Sequence, residues 1–296
     1  MNKRPWAALA TYPPLGRVLI FLLIVVALWL PLALPLYWLA GQGMLPGGDL
    51  FPTALLYLVF LLVLPRWERR VRAEKRPWAQ VGFVGRQALI RGMAIGVLWG
   101  AVSLGVLAVV QIALGWADLD PAGQRGLDLL QIALVGAAAA TAVGWSEEIL
   151  FRGWLLRELE QGWSPPVALG ATSLIFAIAH FIKPLDAILA LLPQFVGLLL
   201  LGQVLGWARR IPVGVGKQTT GLGHPAGLHA GLVWGYYLLE VGNLLRPTGR
   251  VPAWVTGVDG NPLAGLLGLG LLAGLGVLMW RWSRPLAPRS AGPLHK

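Results

Sequence analysis

Glu147, Glu148 and Arg152 lie within Ser146-Glu147-Glu148-Ile149-Leu150-Phe151-Arg152-Gly153, inside a run from Gly136 to Leu156 whose other residues are small or apolar. On insertion scales an ionised side chain at the bilayer centre costs about 3 kcal/mol, so such groups face the bundle interior and mark function. Residues four apart share one face of a helix. That spacing pairs Glu148 with Arg152, whereas Glu147 meets only Phe151. The chemistry this predicts is a neutralised, orienting pair beside a carboxylate that is free to take a proton. A purely structural ion pair, holding the helix to a neighbour, is the competing reading.

A base of this kind needs a partner. The turn Gln161-Gly162-Trp163-Ser164-Pro165-Pro166 has the residues of a helix stop followed by an N-cap and early prolines. The apolar stretches on either side therefore form an antiparallel hairpin, in which residues equally far from the turn lie at equal depth. Glu147 is then level with His180, each about 24 Å of helix from the turn. A carboxylate and an imidazole brought to one depth by two helices can hold a water between them. His229, on a later apolar stretch, is a third ionisable candidate, while His224 beside Pro225 reads as a first-turn residue near the surface. A lone histidine on an apolar helix ordinarily has a hydrogen-bonded packing role. Three ionisable sites on three spans, each disfavoured by lipid, point to a shared centre.

These groups must be positioned by a membrane bundle. The 296-residue chain is 56% hydrophobic and only 12% charged, with a mean hydropathy of +0.67, which excludes a soluble domain. Its net charge of +11 is explained by Lys and Arg kept on one side of a bilayer, so nucleic acid is not an expected partner. The absence of cysteine removes disulfides, thiolate metal sites and a cysteine nucleophile. The first apolar segment lacks an A-x-A cleavage site and reads as a retained span.

The fold class expected is all-α, a polytopic membrane helix bundle of about eight transmembrane helices, forming a single integral membrane domain over residues 1–296. The spans fall near 17–39, 50–64, 93–114, 129–160, 167–182, 187–208, 223–244 and 263–280, with Pro31 and Pro35 kinking the first. The basic segments 3–17, 66–91, 209–217 and 281–296 fall on one side, which predicts cytoplasmic N- and C-termini. A multi-pass protein of the plasma (inner) membrane is expected.

The ordered set Glu147-Glu148-x-x-x-Arg152, Phe176-x-x-x-His180, and His229 within Gly227-Leu228-His229-Ala230-Gly231 resembles the successive motifs of the CAAX protease and bacteriocin-processing family of intramembrane proteases, also called CPBP or ABI. A family-like catalytic core would cover residues 125–245. The first motif alone is a weak pattern, but the three in order on apolar helices are specific. The resemblance implies an intramembrane endopeptidase that hydrolyses membrane-associated proteins or peptides. Glu147 and His180 would activate water, Glu148 and Arg152 would form the structural pair, and His229 would stabilise the oxyanion or complete a metal site. Glu147, His180 and His229 would make a three-ligand zinc site with an open position. The same groups can also activate water unaided, so the cofactor is either a divalent metal or none. The family usually has Asn or Asp four residues after the third-motif histidine, where this chain has Val233. Tyr236 and Tyr237 are nearby polar groups, and Asn243 lies ten residues too far along. That departure favours the alternative function, a non-catalytic membrane immunity, scaffold or assembly factor that keeps the protease fold.

Overall fold

A computed structural model describes residues 5–45, 47–48, 50–181, 191–212 and 221–284. Its helices are α1 (Pro5–Leu9), α2 (Pro14–Gly41), α3 (Leu50–Arg70), α4 (Pro77–Val81), α5 (Arg86–Ala113), α6 (Gly126–Glu148), α7 (Leu156–Leu159), α8 (Pro165–Ala179), α9 (Leu192–Ala208), α10 (Gly223–Val241), α11 (Ala253–Thr256) and α12 (Leu266–Ser283). Five segments, Pro14–Gly41, Leu50–Arg70, Pro77–Ala113, Gly126–Leu159 and Leu266–Ser283, are long and apolar enough to cross a membrane. The protein is an integral membrane helix bundle.

About eight spans were expected, and among the described residues five segments are long and apolar enough to count as spans. Helices α8 and α9 are apolar but shorter than a span, and α10 is enclosed, with every residue from Gly223 to Leu232 buried. Residue 182, the link 183–186 and the expected start of a span at 187 lie outside the described residues. Helix α2 runs unbroken through Pro31 and Pro35. Helix α3 continues beyond Leu64 to Arg70, so part of the expected basic loop is helical. Ser164 precedes α8 as expected, but its side chain makes no capping bond.

Packing of α5 on α10 follows from glycine spacing. Gly92, Gly96 and Gly100 recur every fourth residue along α5 and meet Gly223, Gly227 and Gly231 of α10. A Cβ on Gly96 would lie 2.4 Å from the His224 carbonyl oxygen, and one on Gly227 would lie 2.2 Å from that of Met93. Lipid supplies no hydrophobic drive between helices, so close backbone approach and van der Waals contact must hold them. This pair fixes α10, which carries His229.

The α2–α3 hairpin grips the other site-bearing helix. Phe21 packs on Trp154 with ring centroids 4.1 Å apart, and Phe60 approaches the same indole edge-on. At the end of α7, Arg157 bridges Glu68 at 2.5 Å and Glu74 at 2.7 Å, while Glu158 pairs with Arg17. At the opposite end of the bundle a short antiparallel ribbon, β1 (Ala117–Leu119) with β2 (Leu245–Pro247), ties the segment after α5 to the one after α10.

Between α6 and α7 the backbone widens into a π-helix over Ile149–Leu155. The rod is continuous from Gly126 to Leu159, as expected. Its wide turn is not expected from sequence. Such segments are rare and occur frequently at functional sites.

Candidate active site

Glu147 and Glu148 are the last two residues of α6, immediately before the π-helix. His180 directly follows α8, at its C-cap, and His229 lies in the second turn of α10. Three separate elements thus bring together the residues singled out in the sequence.

The pair expected from i, i+4 spacing is present. Arg152 Nη1 donates to Glu148 Oε1 at 2.7 Å, with both side chains at most 1% exposed. Arg152 Nη2 donates to the Gly202 carbonyl at 3.2 Å, and the guanidinium lies over the Phe176 ring, 4.6 Å from its centroid. A buried charge is tolerable only with partners of this kind. The ring of Phe176 also contacts both imidazoles, with its centroid 4.5 Å from that of His180 and 6.1 Å from that of His229.

Glu148 does more than neutralise Arg152. His229 Nδ1–H donates to the same Glu148 Oε1 at 3.0 Å, so the carboxylate also orients an imidazole. His180 Nδ1–H donates to the Phe176 carbonyl at 2.8 Å. A carbonyl oxygen accepts and never donates, which places the proton of neutral His180 on Nδ1 and leaves a lone pair on Nε2. Glu148 Oε1, which already accepts from Arg152, is the acceptor for His229 Nδ1–H, and this leaves Nε2 of the neutral ring without a proton.

Both free Nε2 atoms face one oxygen. Glu147 Oε2 is 3.5 Å from His180 Nε2 and 3.9 Å from His229 Nε2. These separations are at or beyond the limit of a direct hydrogen bond. The oxygen is buried and has no hydrogen-bond partner among the described residues. Three lone-pair atoms aimed at one space repel unless a proton, a water or a cation lies between them.

A cavity of about 280 Å³ borders this cluster, touching Glu147, Phe176, His180 and His229. Its other walls are largely aliphatic, and Val233 is one of them. Tyr236 lines it as well, whereas Tyr237 lies against Gly136 of α6 and Asn243 occupies the left-handed turn after α10, at φ +47°. Asn261 also lines the cavity. Sequence reasoning missed it because the loop 246–262 has no hydrophobic period to place its residues. His224 opens α10 as expected but is not at the surface. It is 2% exposed, and neither ring nitrogen has a hydrogen-bond partner among the described residues.

One carboxylate oxygen and two imidazole nitrogens are donor types that suit zinc. Among the described residues, however, no three His, Asp or Glu side chains are grouped closely enough to hold an ion.

Residues 129–249 match a family model, that of type II CAAX prenyl endopeptidase Rce1-like proteins. The match contains all three motifs and agrees with the family resemblance drawn from them. No curated protein and no solved structure matches the chain.

Proposed function

We propose that the protein is an intramembrane endopeptidase that hydrolyses peptide bonds of membrane-associated proteins or peptides with a water activated by Glu147 and His180. The observation that carries this reading is the convergence of Glu147 Oε2 with the proton-free Nε2 atoms of His180 and His229 on one cavity wall. Water held there gives a proton to the Glu147 carboxylate as its oxygen attacks the peptide carbonyl carbon. The tetrahedral oxyanion collapses, the C–N bond breaks, and the proton passes to the leaving nitrogen. His180, fixed through Nδ1 by the Phe176 carbonyl, accepts a hydrogen bond from the same water at Nε2. His229, oriented through Nδ1 by the Glu148 carboxyl group, stabilises the oxyanion by donating from Nε2 when the ring carries a second proton taken up from solvent before the attack. Glu148 and Arg152 touch no reacting atom in this scheme and act as positioning residues.

The reaction as drawn uses the protein's own side chains and one water. If an ion is nevertheless held, Glu147, His180 and His229 are its ligands, and elemental analysis of purified protein before and after chelation decides the matter. The positive-inside rule favours a cytoplasmic position for the end bearing residues 66–91 and 209–212, in the plasma membrane of its cell.

Val233 in the cavity wall supports a second reading, a non-catalytic immunity, scaffold or assembly factor. Cleavage of a membrane-peptide library by purified protein in detergent separates the two. The endopeptidase reading expects cleavage that falls about 10²- to 10⁴-fold in Glu147→Ala and His180→Ala. Equal cleavage by all three proteins removes these residues from the mechanism, and none by wild type favours the second reading.

A further inference from the structure

Val233 places a methyl-bearing wall where the family pattern has an amide or an acid, yet the cavity is not without amides. Its neutral polar side chains, apart from the two histidines, are Gln194, Tyr236 and Asn261. Of these, Asn261 is the one whose orientation is fixed by its own loop. Its backbone N–H donates to the Val258 carbonyl at 3.1 Å, and its carbonyl accepts from Ala264 N at 3.0 Å. Its side-chain Oδ1 accepts from Leu263 N at 3.0 Å. A backbone N–H can only donate, so the atom facing Leu263 is the oxygen and the NH₂ group remains unspent.

The loop is also held rigidly. Gly257, at φ +146°, lies so close that a Cβ there would come within 2.5 Å of the Asn261 carbonyl oxygen, and a Cβ on Gly268 of α12 would come within 2.2 Å of that of Pro262. Leu263 and Ala264, from the same turn, line the cavity beside Asn261. A peptide segment that enters a lipid-embedded cavity in extended form must find partners for its backbone groups. Aliphatic walls offer none, and a preorganised donor costs little to use.

We propose that Asn261 is a substrate-binding residue: its Nδ2 hydrogens donate to a backbone carbonyl of an extended, uncharged peptide segment in the cavity, supplying the donor that Val233 does not. The proposal deepens the endopeptidase reading and rests on it for the fate of the bound peptide. Binding is measured by fluorescence anisotropy with a fluorescein-labelled Leu/Ala decapeptide in detergent, on Glu147→Gln protein so that nothing is hydrolysed. Asn261→Asp keeps an oxygen for Leu263 N–H and removes both donors. It is expected to bind about five- to tenfold more weakly at an unchanged melting temperature, and adding Val233→Asn is expected to restore part of the loss. Asn261→Ala loses the loop bond as well and is expected to bind weakly and melt earlier. Asn261→Asp binding as tightly as its parent, or a parent that does not bind the peptide, overturns the proposal. Asn261-dependent binding without any cleavage by wild type would count against hydrolysis alone, and cleavage with Asn261-independent binding would count against this proposal alone.

Discussion

Two buried ionic clusters sit a few turns apart on the same rod, and their difference is instructive. At the end of α7, the carboxylates Glu68, Glu74 and Glu158 are met by the guanidiniums of Arg17, Arg72 and Arg157. Acid and base balance, and no cavity described here adjoins them. At the end of α6, two carboxylates, Glu147 and Glu148, face one guanidinium, Arg152. The surplus acid is left to two imidazoles with free lone pairs at a cavity wall. Buried charge alone therefore does not mark chemistry in this protein. On the proposed reading, what marks it is an unbalanced carboxylate with proton-accepting neighbours and a cavity beside it.

The comparison breaks most sharply at the arginines. Arg152→Ala leaves Glu148 fully buried without its cation, and is expected to cost about 3–5 kcal/mol. Thermal melting and expression should show the loss, and His229, deprived of a fixed acceptor, should lose its orientation so that activity falls with stability. Well-folded, active Arg152→Ala protein would contradict the pairing. Arg157→Ala strips a partner from Glu68, which is wholly buried, but Arg157 itself is partly exposed. A loss of about 1–3 kcal/mol is expected, with activity per folded molecule unchanged. An equal fall in specific activity for both variants would erase the distinction between the clusters. The smallest effect is expected for Phe176→Leu, which keeps the carbonyl that orients His180 but removes the ring beneath Arg152. A loss of about 1 kcal/mol in stability should accompany a several-fold drop in turnover, measured by melting and by peptide cleavage.

Much of this arrangement is legible in the sequence where it is local. The Glu148–Arg152 pair follows from i, i+4 spacing, and the turn at 161–166 sets Glu147 level with His180, whose side chains the structure places 3.5 Å apart. The helical membrane class follows from composition. What escapes is non-local or breaks a period. Arg17 finds Glu158 across 141 positions, and no pattern in either neighbourhood announces it. The π-turn at Ile149–Leu155 has no composition cue, so a uniform helix is the natural expectation. The glycines of α5 and α10 are visible, but which rows meet depends on how the chain is threaded. Val233 is conspicuous in a motif, while Asn261, in an aperiodic loop, is brought to the same cavity only by tertiary structure. His224 is misplaced for the same reason: proline beside it signals a helix start, and only packing against α5 shows that the start is buried.

The most direct test is a double-mutant cycle on cleavage of one membrane peptide, comparing wild type, Glu147→Gln, His180→Ala and the double variant, each at matched folding. If the two side chains act on one shared water, the double variant loses about as much kcat as the more damaging single change, because units that work together are strongly non-additive. Losses that multiply would show two independent contributions and contradict the shared site.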